Sequence, residues 1–289
     1  MNHKKEIDTA TGVETTGHEW DGIKELNNPL PRWWLYTFYV SIIWSIGYWV
    51  VYPAWPTLTS YTKGTLGYSQ RAVVASELKA AVAGQARFRD RIAAMSLADI
   101  RKDPELLPFA SAGGSAAFQT NCAPCHGRGA QGFVSFPNLN DDDWLWGGGL
   151  DDIYKTIQFG IRSDHKKTRD VQMPRYGVDK LITPAQINDA AEYVLSLSAK
   201  SSNAEAVTRG AAIFKEQCVT CHGDDGRGKL EQGAPNLTDS IWLYGGTKAA
   251  IVESISTGRG GAMPAWIERL DDVTIKALTI YVHSLGGGK

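Results

Sequence analysis

Soft metal-binding side chains are scarce in this chain. Its 289 residues hold four cysteines, four methionines and six histidines. Charge of one sign is scarce too, because 30 Lys and Arg stand against 31 Asp and Glu, a formal net charge of -1. That balance excludes a strongly basic nucleic-acid binder, and no basic helix or zinc-finger pattern occurs. Charged residues are missing altogether between Trp33 and Tyr52. Each scarcity points to where the remaining residues are concentrated.

All four cysteines fall in two hexapeptides, Cys122-Ala-Pro-Cys125-His126-Gly127 and Cys218-Val-Thr-Cys221-His222-Gly223. A structural disulfide, a zinc knuckle and a thioredoxin-like redox pair all use CxxC. Zinc would need both pairs to converge on one ion, which the following His does not require. A thioredoxin-like site needs a βαβ context that the sequence does not provide. CxxCH is the pattern of covalent c-type haem attachment: two thiols on one helical turn meet the two vinyl groups, and the adjacent His faces the iron. Two such motifs with no cysteine left over predict two covalently bound haems. Attachment of this kind takes place outside the bacterial cytoplasm, which places the C-terminal part in the periplasm.

The uncharged run has twenty residues. At about 1.5 Å per residue these span the roughly 30 Å hydrocarbon core of a bilayer. Trp33, Trp34 and Tyr36 at one end, and Tyr48, Trp49, Tyr52 and Trp55 at the other, fit the interfacial aromatic belts. Pro53 and Pro56 end the segment. A cleaved signal peptide is disfavoured by the long, partly acidic arm before it and by the lack of a small-residue cleavage site after it. Lys and Arg are spread over both flanks, so the haem motifs set the orientation: N-terminus in the cytoplasm, C-terminus in the periplasm.

From about Ser111 the chain repeats itself. Phe118 and Phe214 each precede a CxxCH by four residues. Trp144-Leu-Trp-Gly-Gly148 returns as Trp242-Leu-Tyr-Gly-Gly246, Met173-Pro174 as Met263-Pro264, and Tyr193 and Leu197 as Tyr281 and Leu285. The repeat is one whole domain, a duplication and not a solenoid. The expected fold is mainly α, with one N-terminal transmembrane helix followed by two tandem class I cytochrome c domains. The divisions are 1–32 as a cytoplasmic arm, 33–52 as the membrane helix, 53–110 as a periplasmic connector, and 111–200 and 201–289 as the two domains. In the connector, Ser69 is read as the cap of a helix to about Leu97, with Asp103-Pro104 and Pro108 as breaks. Each domain is too small and loop-rich for a full core without the apolar surface of its haem.

The second axial ligand follows by elimination. Met1 is the start and Met95 sits in the connector's apolar pattern, whereas Met173 and Met263 recur at matched places before a proline. His/Met ligation raises the potential of a haem, as suits an electron carrier. His3, His18, His165 and His283 have no counterpart in the other repeat and read as surface or tail residues. The expected iron ligands are His126, Met173, His222 and Met263, with Cys122, Cys125, Cys218 and Cys221 as covalent attachment points. The repeat leaves open whether each iron takes Met from its own domain or the two domains exchange them.

The run Asp21-Gly-Ile-Lys-Glu-Leu-Asn-Asn-Pro-Leu-Pro-Arg-Trp-Trp34, the membrane segment ending Tyr52-Pro-Ala-Trp-Pro56, and the two CxxCH domains in series resemble the di-haem subunit of cbb3-type cytochrome c oxidase, the CcoP or FixP family. The resemblance covers nearly the whole chain. It implies an electron-transfer subunit, not catalytic on its own, that takes electrons from a cytochrome c donor. Electrons pass on, directly or through a mono-haem cytochrome subunit, to a haem-copper catalytic subunit that reduces oxygen and pumps protons in low-oxygen respiration. It places the chain in the bacterial inner membrane. A membrane-tethered di-haem carrier for another periplasmic redox enzyme is the alternative. A di-haem peroxidase would need a displaceable distal ligand, against which the matched Met-Pro pairs speak.

The repeats differ most before the methionines. Twelve residues, Ile161 to Gln172, precede Met173, and four, Arg259 to Ala262, precede Met263. The longer loop carries Arg162, Lys166, Lys167 and Arg169. Solvated charge is the plain reading, and steering of an acidic redox partner is the sharper one.

Overall fold

A computed structural model describes residues 6–201 and 203–286; His3, Lys4 and Lys5, assigned to the arm, lie outside them. The chain divides into two compact units, 1–84 and 85–289.

In the first unit the arm is not featureless. Strands β1 (Thr15–Trp20) and β2 (Ile23–Leu26) pair antiparallel. The two-residue turn Asp21-Gly22 has φ of 48° and 86°, the left-handed pair that matches hairpin twist. Helix α1 (Arg32–Val51) follows Pro31 and buries none of its residues. It is long and apolar enough to cross a membrane. The hydroxyls of Thr37, Ser41 and Ser45 all donate to carbonyls of the preceding turn, so these three groups need no water within the span. Near its end Tyr48 stacks on Tyr52 at 4.7 Å and Trp49 meets Trp55 edge-on at 4.8 Å.

Helix α2 (Gln70–Ala94) begins in the first unit and ends in the second. Ser69 accepts from the Ala72 amide at 3.4 Å, close to the expected cap. In the second unit α3 (Leu97–Lys102) is capped by Ser96, and Asp103 ends it. Pro108, expected to break the chain, lies in the first turn of α4 (Leu106–Asn121), where its missing amide has no helical partner to lose. The remaining helices are α5 (Ala123–His126), α6 (Leu150–Phe159), α7 (Pro184–Ser196), α8 (Ala204–Gln217), α9 (Val219–His222), α10 (Lys248–Thr257) and α11 (Asp272–Leu285). Thr183 and Gln186 form a capping box on α7, and Asp271 caps α11 through the Thr274 amide at 2.8 Å.

Packing does not follow chain order. One core joins Phe118 of α4 and Ile153 and Ile157 of α6 to Ile275, Leu278 and Val282 of α11. A second joins Ile187, Ala191 and Val194 of α7 to Phe214 of α8 and Ile251 and Ile255 of α10. The opening helix of each repeat thus crosses the closing helix of the other. Two glycines permit the crossings. A Cβ on Gly114 would sit 2.2 Å from the Ala277 carbonyl oxygen, and one on Gly210 would sit 2.1 Å from that of Asp189. One ring pair accompanies each crossing: Phe118 with Tyr281 at 5.4 Å and Phe214 with Tyr193 at 5.0 Å.

A third core ties the connector to α11. Ile92, Leu97, Ile100, Leu106 and Ala110 pack with Ala277 and Ile280, and Met95 lies against them as a packing residue. The Lys276 ammonium, only 13% exposed, donates to the carbonyls of Ile92, Ala93 and Met95 and so caps the end of α2. His283 departs from the tail reading: it is 7% exposed on the inner face of α11, with Arg101 at 3.5 Å.

Candidate haem sites

Each CxxCH occupies one short turn after a longer helix, α5 after α4 and α9 after α8. The two histidines are held alike. His126 Nδ1 lies 3.0 Å from the Pro137 carbonyl and His222 Nδ1 lies 3.2 Å from that of Pro235. A carbonyl can only accept, so Nδ1 carries the proton and Nε2 presents its lone pair, the tautomer an iron ligand needs. Burial lowers both imidazole pKa values below the ordinary range, against the raising effect of that bond, and keeps both rings neutral. Burial, with the neighbouring cysteine adding to it, pushes the Cys122 and Cys218 thiols up to about 11. They are poor thiolates in an apolar setting, unlike the activated pairs of redox enzymes.

The methionine packed near each CxxCH belongs to the opposite repeat. Met263 exchanges both backbone hydrogen bonds with Ile161, at 2.9 and 3.0 Å, just past the end of α6. Its loop is fastened again where the Trp266 amide donates to Ile157 and Gln158. Gly160 permits this approach: its φ is +67°, and a Cβ there would lie 2.2 Å from the Met263 carbonyl oxygen. The mirror arrangement holds Met173 at the end of α10. Tyr176 and Gly177 donate to Ile255 and Ser256 at 3.2 and 3.0 Å, and Gly258, at φ +62°, faces the Met173 carbonyl. Met263 therefore packs on the core that holds Cys122, and Met173 on the core that holds Cys218. Met173, Cys218, Cys221 and His222 line one cavity of about 520 Å³. The Tyr176 hydroxyl donates to the Gln217 carbonyl at 2.6 Å and ties the Met173 segment to the residue before Cys218.

Two buried donors test whether haem fits. The indole Nε1 groups of Trp144 and Trp242, at matched places in the repeats, are buried without a hydrogen-bond partner. Leaving such a donor unpaired costs about 1–3 kcal/mol. A haem propionate is the acceptor that two equivalent orphaned N–H groups beside two CxxCH motifs call for, and the residues fit the group.

Arg169 was counted with the solvated loop, but it points inward. It donates to the Trp146 carbonyl and Thr156 Oγ1, both at 2.8 Å, and to Asp152 at 3.2 Å, and lies 5.3 Å from the Trp146 ring centre. Arg259 does the same in the other repeat. It reaches the Ala250 carbonyl and Ser254 Oγ at 2.6 Å and lies 4.8 Å from the Tyr244 ring. Each arginine stands four residues before a Met-Pro. That shared spacing was the available signal, hidden by the longer loop. Of the other histidines, His165 stacks on Phe159 at 5.0 Å and His18 lies beside Glu25 on the hairpin.

Comparison with known proteins gives the family. The model of the N-terminal domain of cytochrome oxidase-cbb3, FixP, matches residues 12–59, that of cytochrome c matches 111–198, and that of cbb3-type cytochrome c oxidase subunit III matches 205–282. A cbb3-type cytochrome c oxidase subunit FixP of Bradyrhizobium sp. (strain ORS 278) is 56% identical over 294 residues, covering 100% of both chains. The chain belongs to the FixP/CcoP family of cbb3-type cytochrome c oxidase subunits. A CcoP subunit of Azospirillum sp. (strain B510) is 54% identical over 100% of this chain and 99% of its own. A FixP subunit of Rhizobium meliloti (strain 1021) is 51% identical over 99% and 98%. This FixP/CcoP chain is accordingly a membrane-anchored electron-transfer subunit with two covalently bound c-type haems, not a catalytic subunit in itself.

Proposed function

We propose that His126 and Met263 form one axial ligand pair, that His222 and Met173 form the other, and that the chain uses both sites to carry electrons into a cbb3-type oxidase. The fastening of each Met-Pro segment to the helix that follows the other repeat's CxxCH carries the pairing. Each bound haem supplies a one-electron iron couple, whose potential a thioether ligand raises. The protein's part is positional. Cys122, Cys125, Cys218 and Cys221 fix the macrocycles, His126 and His222 present Nε2, and Trp144 and Trp242 offer N–H groups to propionates.

In this reading the donor is a cytochrome c, and the acceptors are the mono-haem cytochrome subunit and the haem-copper catalytic subunit of the oxidase. Helix α1 anchors the chain once in the bacterial inner membrane, with the arm, 1–32, in the cytoplasm. The connector, 53–110, and the repeats, 111–200 and 201–289, lie in the periplasm. Full-length relatives named as oxidase subunits support the assembly, and covalent haem attachment supports the side.

Replacing Met263 by Ala should leave two covalent haems and turn the His126 centre high-spin at a lower potential, whereas Met173→Ala should do this to the His222 centre. Low-spin centres with unchanged potentials in both variants would defeat the assignment. Recovery of the tagged chain with a haem-copper subunit tests the oxidase role, and recovery with another redox enzyme alone would refute it.

A further inference from the structure

Arg169 and Arg259 are related by the duplication, and neither acts within a single site. Arg169 holds the Trp146 carbonyl, the Trp146 ring face and Thr156 of α6, all parts of the half that contains His126. Four residues on, its own segment reaches Met173, in the half that contains His222. Arg259 holds the Tyr244 carbonyl at 3.4 Å, the Tyr244 ring face, and Ala250 and Ser254 of α10, in the His222 half. Four residues on, its segment reaches Met263, in the His126 half. The two side chains are only 21% and 22% exposed. Both use the planar fork to serve several acceptors while stacking on an aromatic ring, which an ammonium cannot reproduce.

We infer that Arg169 and Arg259 are crossed positioning residues: each clamps the wall of one haem site while setting the approach of the methionine to the other. The inference rests on the ligand pairing proposed above. Its consequence is that the two centres are mechanically coupled, because a change at one arginine moves the wall of one site and the thioether of the other. A residue that only stabilised its own half would disturb one centre.

The test uses the full-length, haem-loaded chain in membranes or detergent. Each centre's NMR signals are assigned through Overhauser contacts to Phe118 or Phe214. Arg169→Gln should retain two haems, weaken the methionine-iron charge-transfer band of the His222 centre, and shift the midpoint potentials of both centres. Arg259→Gln should give the mirror result, with the band lost at the His126 centre. Arg169→Lys should restore less than half of the change. Thr156→Val, which removes one acceptor, should shift both centres in the same sense by a smaller amount, and serves if Arg169→Gln fails to mature. Lys166→Gln on the exposed part of the same loop should leave both centres alone. A potential shift confined to one centre, no shift at either, or full rescue by Lys would overturn the inference. Met173→His and Met263→His check the pairing separately: each should lower the potential of its own centre. The opposite centre responding would sink the pairing whatever the arginine variants show.

Discussion

Ile161 and Met263, 102 positions apart in the chain, hold each other by two backbone hydrogen bonds of 3.0 and 2.9 Å. Ile161 also forms an isolated bridge with Arg169, so it joins the Arg169 loop and the Met263 segment at single-residue bridges. Replacing Ile161 by Pro removes the donor of one bond and should loosen Met263 alone. The expected result is a weakened methionine-iron band and a lower potential at the His126 centre, with the His222 centre unchanged. An effect confined to the His222 centre would show that Met263 serves the other iron.

Gly114 and Gly210 set the two helix crossings. Adding a methyl where a carbonyl oxygen would lie 2.1–2.2 Å away must push the helices apart. Overpacking of this kind costs about 1–3 kcal/mol. Gly114→Ala should therefore lower the protection of α4 and α11 amides to hydrogen exchange and spare α7 and α8. Gly210→Ala should do the reverse. Loss spread evenly over all four helices in both variants would contradict two separate cores.

Asp143 provides the pH prediction. Burial first, then the nearby charges of Asp239 and Asp141, raise its pKa from 3.8 to about 6. The folded state therefore holds this proton more tightly than the unfolded state. Ionising the group costs stability above about pH 6, and the cost is relieved as pH falls towards the unfolded value near 4. Asp143→Asn should stabilise the protein by about 1 kcal/mol at pH 8, allowing for solvent screening of a half-exposed group, and by almost nothing near pH 3. Denaturant midpoints of variant and parent across that range measure the difference, and a gain that grew towards acid would refute the sign.

The CxxCH and Met-Pro motifs and the core aromatics stand out in the sequence because their spacing is local: CxxCH, Met-Pro, and Phe four residues before Cys. The proposed exchange between halves was not legible, because duplicated segments present nearly the same surface to either partner, and the backbone hydrogen bonds and close approaches at the ends of α6 and α10 are long-range contacts. The hairpin was missed although Asp21-Gly22 is a two-residue turn signal, since the surrounding residues read as a polar arm. His283 was misread because it stands alone in its repeat. Yet it follows Ile275 and Thr279 at intervals of four, a spacing that puts all three on the buried face of α11. Arg169 was obscured by its neighbours in a basic loop, where composition outweighed its spacing from Met173.

Chain order gives the last prediction. The core around Phe214 draws on one continuous stretch that includes α7, α8 and α10, whereas the core around Phe118 needs α4 and α6 from before that stretch and α11 from after it. A stop after Gly260 removes Met263 and α11 but keeps every helix of the Phe214 core. Tandem domains would respond differently: the first would survive and the second would lose its ligand and closing helix. The crossed arrangement requires the reverse, with one low-spin centre remaining at His222 and a high-spin centre at His126. Since both arrangements leave one centre of each kind, the discriminating measurement is hydrogen exchange. Amides of α8 should stay protected in the truncated protein, while those of α4, deprived of the partner that crosses Gly114, should exchange much faster. Protection retained in α4 and lost from α8 would return the chain to two domains in series.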